Sequence, residues 1–117
     1  MMEPIDAEQF EKLVVEQLDL LPDDFVDKLE NVAFVTESRP EDGTLNLLGL
    51  YNGVALTHRG NYGFGELPDR IVLYREPLLS ISADLDDLKH HIHVTLVHEI
   101  GHFYGMDDEE LGELGWA

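Results

Sequence analysis

The stretch "HEIGHFYGMDD", residues 98–108, decides how this chain is read. It closes the longest helical pattern in the sequence, which runs from Asp84 to about Tyr104. With residues placed at about 100° intervals, Leu85, Leu88, Ile92, Leu96 and Phe103 gather on one stripe, the expected core side. His98 and His102 lie one turn apart on a different face. His91 falls two turns before His98 on nearly that same face, while His90 and His93 point elsewhere and read as solvent-facing.

A histidine pair at i, i+4 aims two imidazole nitrogens from adjacent turns at one point, where a zinc ion accepts them at about 2.0–2.1 Å. Glu99 between them would stand beside that ion and take a proton from water. Gly105, three positions after His102, suits a helix stop, because glycine tolerates the left-handed conformation of a helix end. The chain can then turn so that Asp108 returns toward the two histidines. The whole run fits H-E-x-x-H-x-x-G-x-x-D, with aspartate where metzincins place a third histidine. Asp107, Glu109, Glu110 and Glu113 compete for that third position, and the acidic run also reads simply as a helix cap. Met106 lies between the expected ligands and is not the Met-turn of larger metzincins.

Working outward, Asp6 to Leu21 reads as a helix with Asp6 as N-cap, Gln9 three residues on, and Phe10, Leu13, Val14, Leu18 and Leu21 at helical spacing. Pro22 ends it and opens a short helix through "DDFVDKLEN". "VAFVTE" (32–37), "NLLGLYN" (46–52) and "RIVLY" (70–74) read as strands, the last as a sheet edge along which an extended peptide could add. "EPLLSIS" (76–82) makes a helical turn, and "DDEELGEL" (107–114) a terminal helix with acids at its positive end. The pattern predicts one α+β domain over 1–117, a small sheet of about three strands flanked by helices. The glycine-rich stretch between the last two strands carries His58, Arg59 and Tyr62, candidates to stabilise an oxyanion opposite the metal. His91 is a candidate neighbour of the site, although a hydrogen-bonded helix histidine is the preferred reading.

Bulk composition narrows the function classes. Twenty-five acidic residues against seven basic ones give a net charge of −18, which disfavours nucleic acid and anionic membrane as partners. There is no cysteine, so a metal here takes nitrogen and oxygen ligands. The N-terminus lacks a basic region and an apolar run, and no stretch approaches membrane-spanning length, so a cytoplasmic location is expected.

With these residues in place the chain resembles the short bacterial zincin-like metallopeptidases, the minimal zincins. "LLGLYNGVALTHRGNYGFGELPDRIVLYREPL" (47–78) is similar to that family's region before the metal helix, and "TLVHEIGHFYGMDDEEL" (95–111) to its signature. The resemblance implies a zincin-like fold with the metal helix across the sheet, His98, His102 and Asp108 as zinc ligands, and Glu99 as the base. It implies a zinc-dependent hydrolase acting on a peptide or flexible protein segment. A catalytically weak metal- or peptide-binding module of the same fold is the alternative. Oligomeric state stays open.

Overall fold

The computed structural model describes residues 4–27, 29, 32–53 and 69–113. Their order is α1 (Ala7–Asp19), α2 (Asp23–Val26), β1 (Val32–Glu37), β2 (Gly49–Asn52), β3 (Asp69–Tyr74), α3 (Arg75–Ser80), α4 (Leu85–Phe103) and α5 (Asp108–Glu113). The α+β layout and the three strands are those expected from the sequence, with shorter boundaries for β2 and α2.

α1 starts where its capping box predicts. The Asp6 carboxylate accepts from the Gln9 N–H at 2.8 Å, and the Gln9 side chain accepts from the Asp6 N–H at 3.3 Å. Such reciprocal caps satisfy two donors that the first helical turn leaves without partners. Phe10 and Val14 are buried along its inner face, and Leu21 just beyond its end.

The sheet order is β1-β3-β2, with β1 parallel and β2 antiparallel to β3. This corrects the expectation that "RIVLY" forms an edge: β3 lies in the centre, and β2 is an edge of the described sheet. The physical reason is visible in β3 itself. Ile71, Val72, Leu73 and Tyr74 are all buried, and a strand covered on both faces carries a continuous apolar run rather than an alternating one.

α4 crosses this layer, packing against α1, β2 and β3. Leu88, Ile92, Leu96 and Ile100 are all fully buried and repeat every four residues, the spacing that keeps side chains on one helix face. Leu85 departs from the predicted stripe. It is the first residue of α4 and is 45% exposed, so the helical period continues there beyond the core it would pack against.

The start of α4 is held by carboxylates. Asp84 accepts from the Asp87 N–H at 2.8 Å, and Asp87 accepts from the Ala83 N–H at 2.8 Å. That backbone hydrogen bond, and then the charge of His91, hold the Asp87 carboxyl below its ordinary value of 3.8. A lowered carboxyl pKa favours the folded state above the unfolded pKa, and the gain disappears as pH falls through the folded value. Asp87→Ala should therefore lower thermal stability above pH 3.8 and leave it closer to wild type in more acidic buffer. Melting curves across that range check this.

Candidate metal centre

α4 delivers His98 and His102 to the same side, one turn apart. Their Nε2 atoms lie 3.1 Å apart, with the two rings edge-on at a centroid distance of 4.7 Å. Two nitrogens bound tetrahedrally to one zinc at about 2.0–2.1 Å would be separated by roughly 3.3 Å. The pair is thus already spaced as an ion would need it.

The far side of His102 is fixed as well. Its Nδ1 lies 2.9 Å from the carbonyl oxygen of Met106. A carbonyl only accepts, so Nδ1 carries the proton and Nε2 is left with a lone pair toward His98. A backbone carbonyl on the outer nitrogen is the common means of fixing the orientation and tautomer of a metal-binding histidine.

The helix end positions that carbonyl. Gly105 has φ +92°, the left-handed region. The Met106 N–H donates to the Gly101 carbonyl at 3.0 Å and the Gly105 N–H to the His102 carbonyl at 2.9 Å. This is the paired hydrogen-bond pattern of a Schellman turn with glycine at the left-handed position. The helix stop expected at Gly105 is present, and its consequence for His102 was not visible in the residue pattern alone.

Glu99 lies between the histidines and is buried, 8% exposed. On a helical wheel it falls within about 20° of Leu88, inside the apolar stripe. A charged residue within the core face of an amphipathic helix is itself a signal of function, because burying a carboxylate is costly unless something nearby compensates for it.

Three of the third-ligand candidates, Asp107, Glu109 and Glu110, have described side chains. Asp107 caps α5: its carboxylate accepts from the Glu110 N–H at 2.8 Å, while the Glu110 side chain accepts from the Asp107 N–H at 3.3 Å. Glu109 and Glu110 are exposed. Asp108 opens α5, and Leu111, one turn on, is fully buried where α5 meets α4 at Gly101. A Cβ at Gly101 would overlap the Leu111 side chain, so glycine lets the two helices close up. The side chains of Asp108 and Glu113 lie outside the described residues. Among the described residues, no group of three or more histidine, aspartate, glutamate or cysteine side chains converges on one point. The described donor set is two imidazoles with nitrogen donors correctly spaced for zinc, and it fits such an ion.

A cavity of about 650 Å³ opens in front of the pair. α4 and the turn after it contribute His98, Glu99, His102, Gly105 and Met106 to its wall, and β2 contributes Gly49, Leu50 and Tyr51. The Tyr51 hydroxyl donates to the buried Asp69 carboxylate at 2.6 Å, and its ring packs edge-on against Phe103. These β2 residues were not singled out from sequence. The edge strand they belong to became recognisable only once the strand order was known.

The remaining histidines fall elsewhere. His91 Nε2 pairs with Asp87 Oδ1 at 3.3 Å, two helical turns before His98. His90 and His93 are exposed, as their positions on the wheel suggest. His58, Arg59 and Tyr62 lie outside the described residues.

The family model of the zincin-like metallopeptidases matches residues 29–116. The chain belongs to that family. Among solved structures it is similar to a conserved hypothetical protein of T. thermophilus, with 27% identity and a TM-score of 0.57, covering 94% of this chain and 97% of that one. No curated protein matches. Among the described residues, no helix is long and apolar enough to cross a membrane.

Proposed function

We propose that this protein is a zinc-dependent hydrolase of peptide bonds, with His98, His102 and Asp108 as the zinc ligands. The observation that carries the reading is the convergence of the two Nε2 atoms at 3.1 Å beside a buried carboxylate, at the wall of an open cavity. The chemistry zinc supplies when bound is Lewis acidity toward a carbonyl oxygen and toward water.

The chain's own groups divide the remaining work. Glu99 takes a proton from the attacking water and returns it to the leaving amine. The Met106 carbonyl holds His102 in the tautomer that presents its Nε2 lone pair. β2 offers its outer edge, so that an extended peptide or flexible segment can pair along it and place a carbonyl over the cavity. His58, Arg59 and Tyr62 are the proposed donors to the developing oxyanion. A cytoplasmic setting is part of the same proposal.

The test is cleavage of a broad peptide library by the zinc-loaded chain, with and without a chelator. Chelator-sensitive cleavage supports the reading. Peptides that bind but stay intact whatever the metal would replace it with the binding-module alternative.

A further inference from the structure

The face of the sheet turned away from α4 carries a separate cavity of about 430 Å³. Ile71 and Leu73 of β3 belong to the core, and strand side chains alternate, so Arg70, Val72 and Tyr74 point the other way. Register sets Glu37 of β1 beside Tyr74, and Leu50 and Asn52 of β2 beside Val72 and Arg70. All of these line the cavity, and the turn after β1 adds Glu41 and Asp42 to its wall.

The groups in this wall define what it accepts. Arg39, also in the wall, pairs with Glu76 at 3.2 Å and donates to the Gly43 carbonyl at 3.3 Å. That leaves three carboxylates, of Glu37, Glu41 and Asp42, against the single charge of Arg70. Tyr74 is only 6% exposed, and among the described residues its hydroxyl has no hydrogen-bond partner. A polar group so far removed from water is costly to leave unpaired, and the cavity is where a partner has room. Burial, then Glu37 and then Glu41, hold the Tyr74 pKa above its ordinary 10.0, each acting more strongly than the opposing Arg70. The potential at the hydroxyl is therefore negative and favours a cation. Leu50 and Val72 make part of the wall apolar, which suits an alkyl stem. Among the described residues no three carboxylates or imidazoles converge as metal ligands, so an organic cation fits better than a metal ion.

We propose that this cavity binds a basic side chain, arginine in preference to lysine, of the same polypeptide segment that the metal centre receives, with Glu37 and Tyr74 as its contacts. This rests on the peptide-binding part of the function proposed above. The two cavities meet at β2, where Leu47 and Leu50 line both, so a segment at the metal centre has only the rim of that strand to cross. A guanidinium carries five N–H donors in a fixed fork, enough to serve the Glu37 carboxylate and the Tyr74 hydroxyl together. An ammonium is a compact charge without that fork. An acidic side chain would meet three like charges.

The test uses blocked alanine decapeptides with one arginine moved through every position, and a matching series with citrulline, the uncharged analogue. Each is titrated calorimetrically into the zinc-supplied Glu99→Gln chain, where turnover does not interfere. A chain of net charge −18 attracts any basic peptide, and that attraction is alike at all positions. The cavity should add to it at one or two positions only, where arginine binds about tenfold tighter than citrulline. Glu37→Gln and Tyr74→Phe should each reduce that local advantage by about fivefold. Glu11→Gln makes the same charge change as Glu37→Gln at an exposed site on α1, and should leave the advantage intact. An arginine advantage that is uniform along the peptide, one that falls equally in Glu11→Gln, or none at all overturns the basic-side-chain site. Cleavage of the same peptides by wild type keeps the two proposals apart. Cleavage indifferent to arginine position sinks the site and leaves the hydrolase, whereas position-dependent binding with no cleavage leaves the site and sinks the hydrolase.

Discussion

Glu99→Gln should leave zinc content and melting temperature close to those of wild type and reduce peptide hydrolysis by about 10²–10⁴-fold, the usual worth of a general acid–base group. The substitution keeps the shape of the side chain. This matters because Glu99 is only 8% exposed and lies within the core stripe of α4. What it removes is the ability to accept the water's proton. Because glutamine is nearly isosteric with glutamate, the packing around residue 99 is kept. Parallel measurement of zinc content, melting and rate therefore separates a lost base from a lost fold. Unchanged hydrolysis in a well-folded, zinc-containing variant would remove Glu99 from the reaction.

Gly105→Ala should weaken zinc binding by about 10–100-fold, although residue 105 is not itself a ligand. Its φ of +92° is one that a residue with a Cβ adopts at a cost of about 1–2 kcal/mol. Relaxing that angle dismantles the turn in which the Met106 N–H reaches Gly101. The Met106 carbonyl, 2.9 Å from His102 Nδ1, then moves. Loss of such an outer partner typically costs about 10–100-fold in metal affinity. The same turn leads the chain into α5, which Asp108 begins, so two of the three proposed ligands depend on it. Gly43 supplies the control. It also has a left-handed φ, +76°, in an exposed loop with nothing near where a Cβ would be. Gly43→Ala should show a comparable loss of stability with zinc affinity intact, and zinc titrations of both variants check the difference.

Much of this site can be read from local pattern because its parts are local. The i, i+4 histidines, the intervening glutamate and the terminating glycine belong to one helix and its end, and the helical period relates them directly. Caps such as Asp6 with Gln9 are local in the same sense. Strand order is not. β1 and β3 pair across a long stretch of chain (Val32 with Asp69), and no short-range rule says which strand takes the centre. A physical trace was nonetheless present: the unbroken apolar run Ile71–Tyr74 belongs to a strand covered on both faces. The cavity wall from β2 depended on that order and could not be drawn without it. Leu85 shows the opposite failure, in which a helical period is sound but continues past the edge of the core. The Met106 carbonyl escapes any reading of side chains, because its role comes from backbone geometry.

In the proposed function one zinc ion is held by His98, His102 and Asp108. Native mass spectrometry of the chain after exposure to zinc and removal of the excess tests it most directly, with His98→Ala and Asp108→Ala run alongside. One zinc per wild-type chain, and its loss in both variants, is the expected result. Zinc retained at wild-type stoichiometry and affinity in Asp108→Ala would contradict the third ligand. Zinc retained in His98→Ala, or never bound by the wild type, would contradict the metal centre itself.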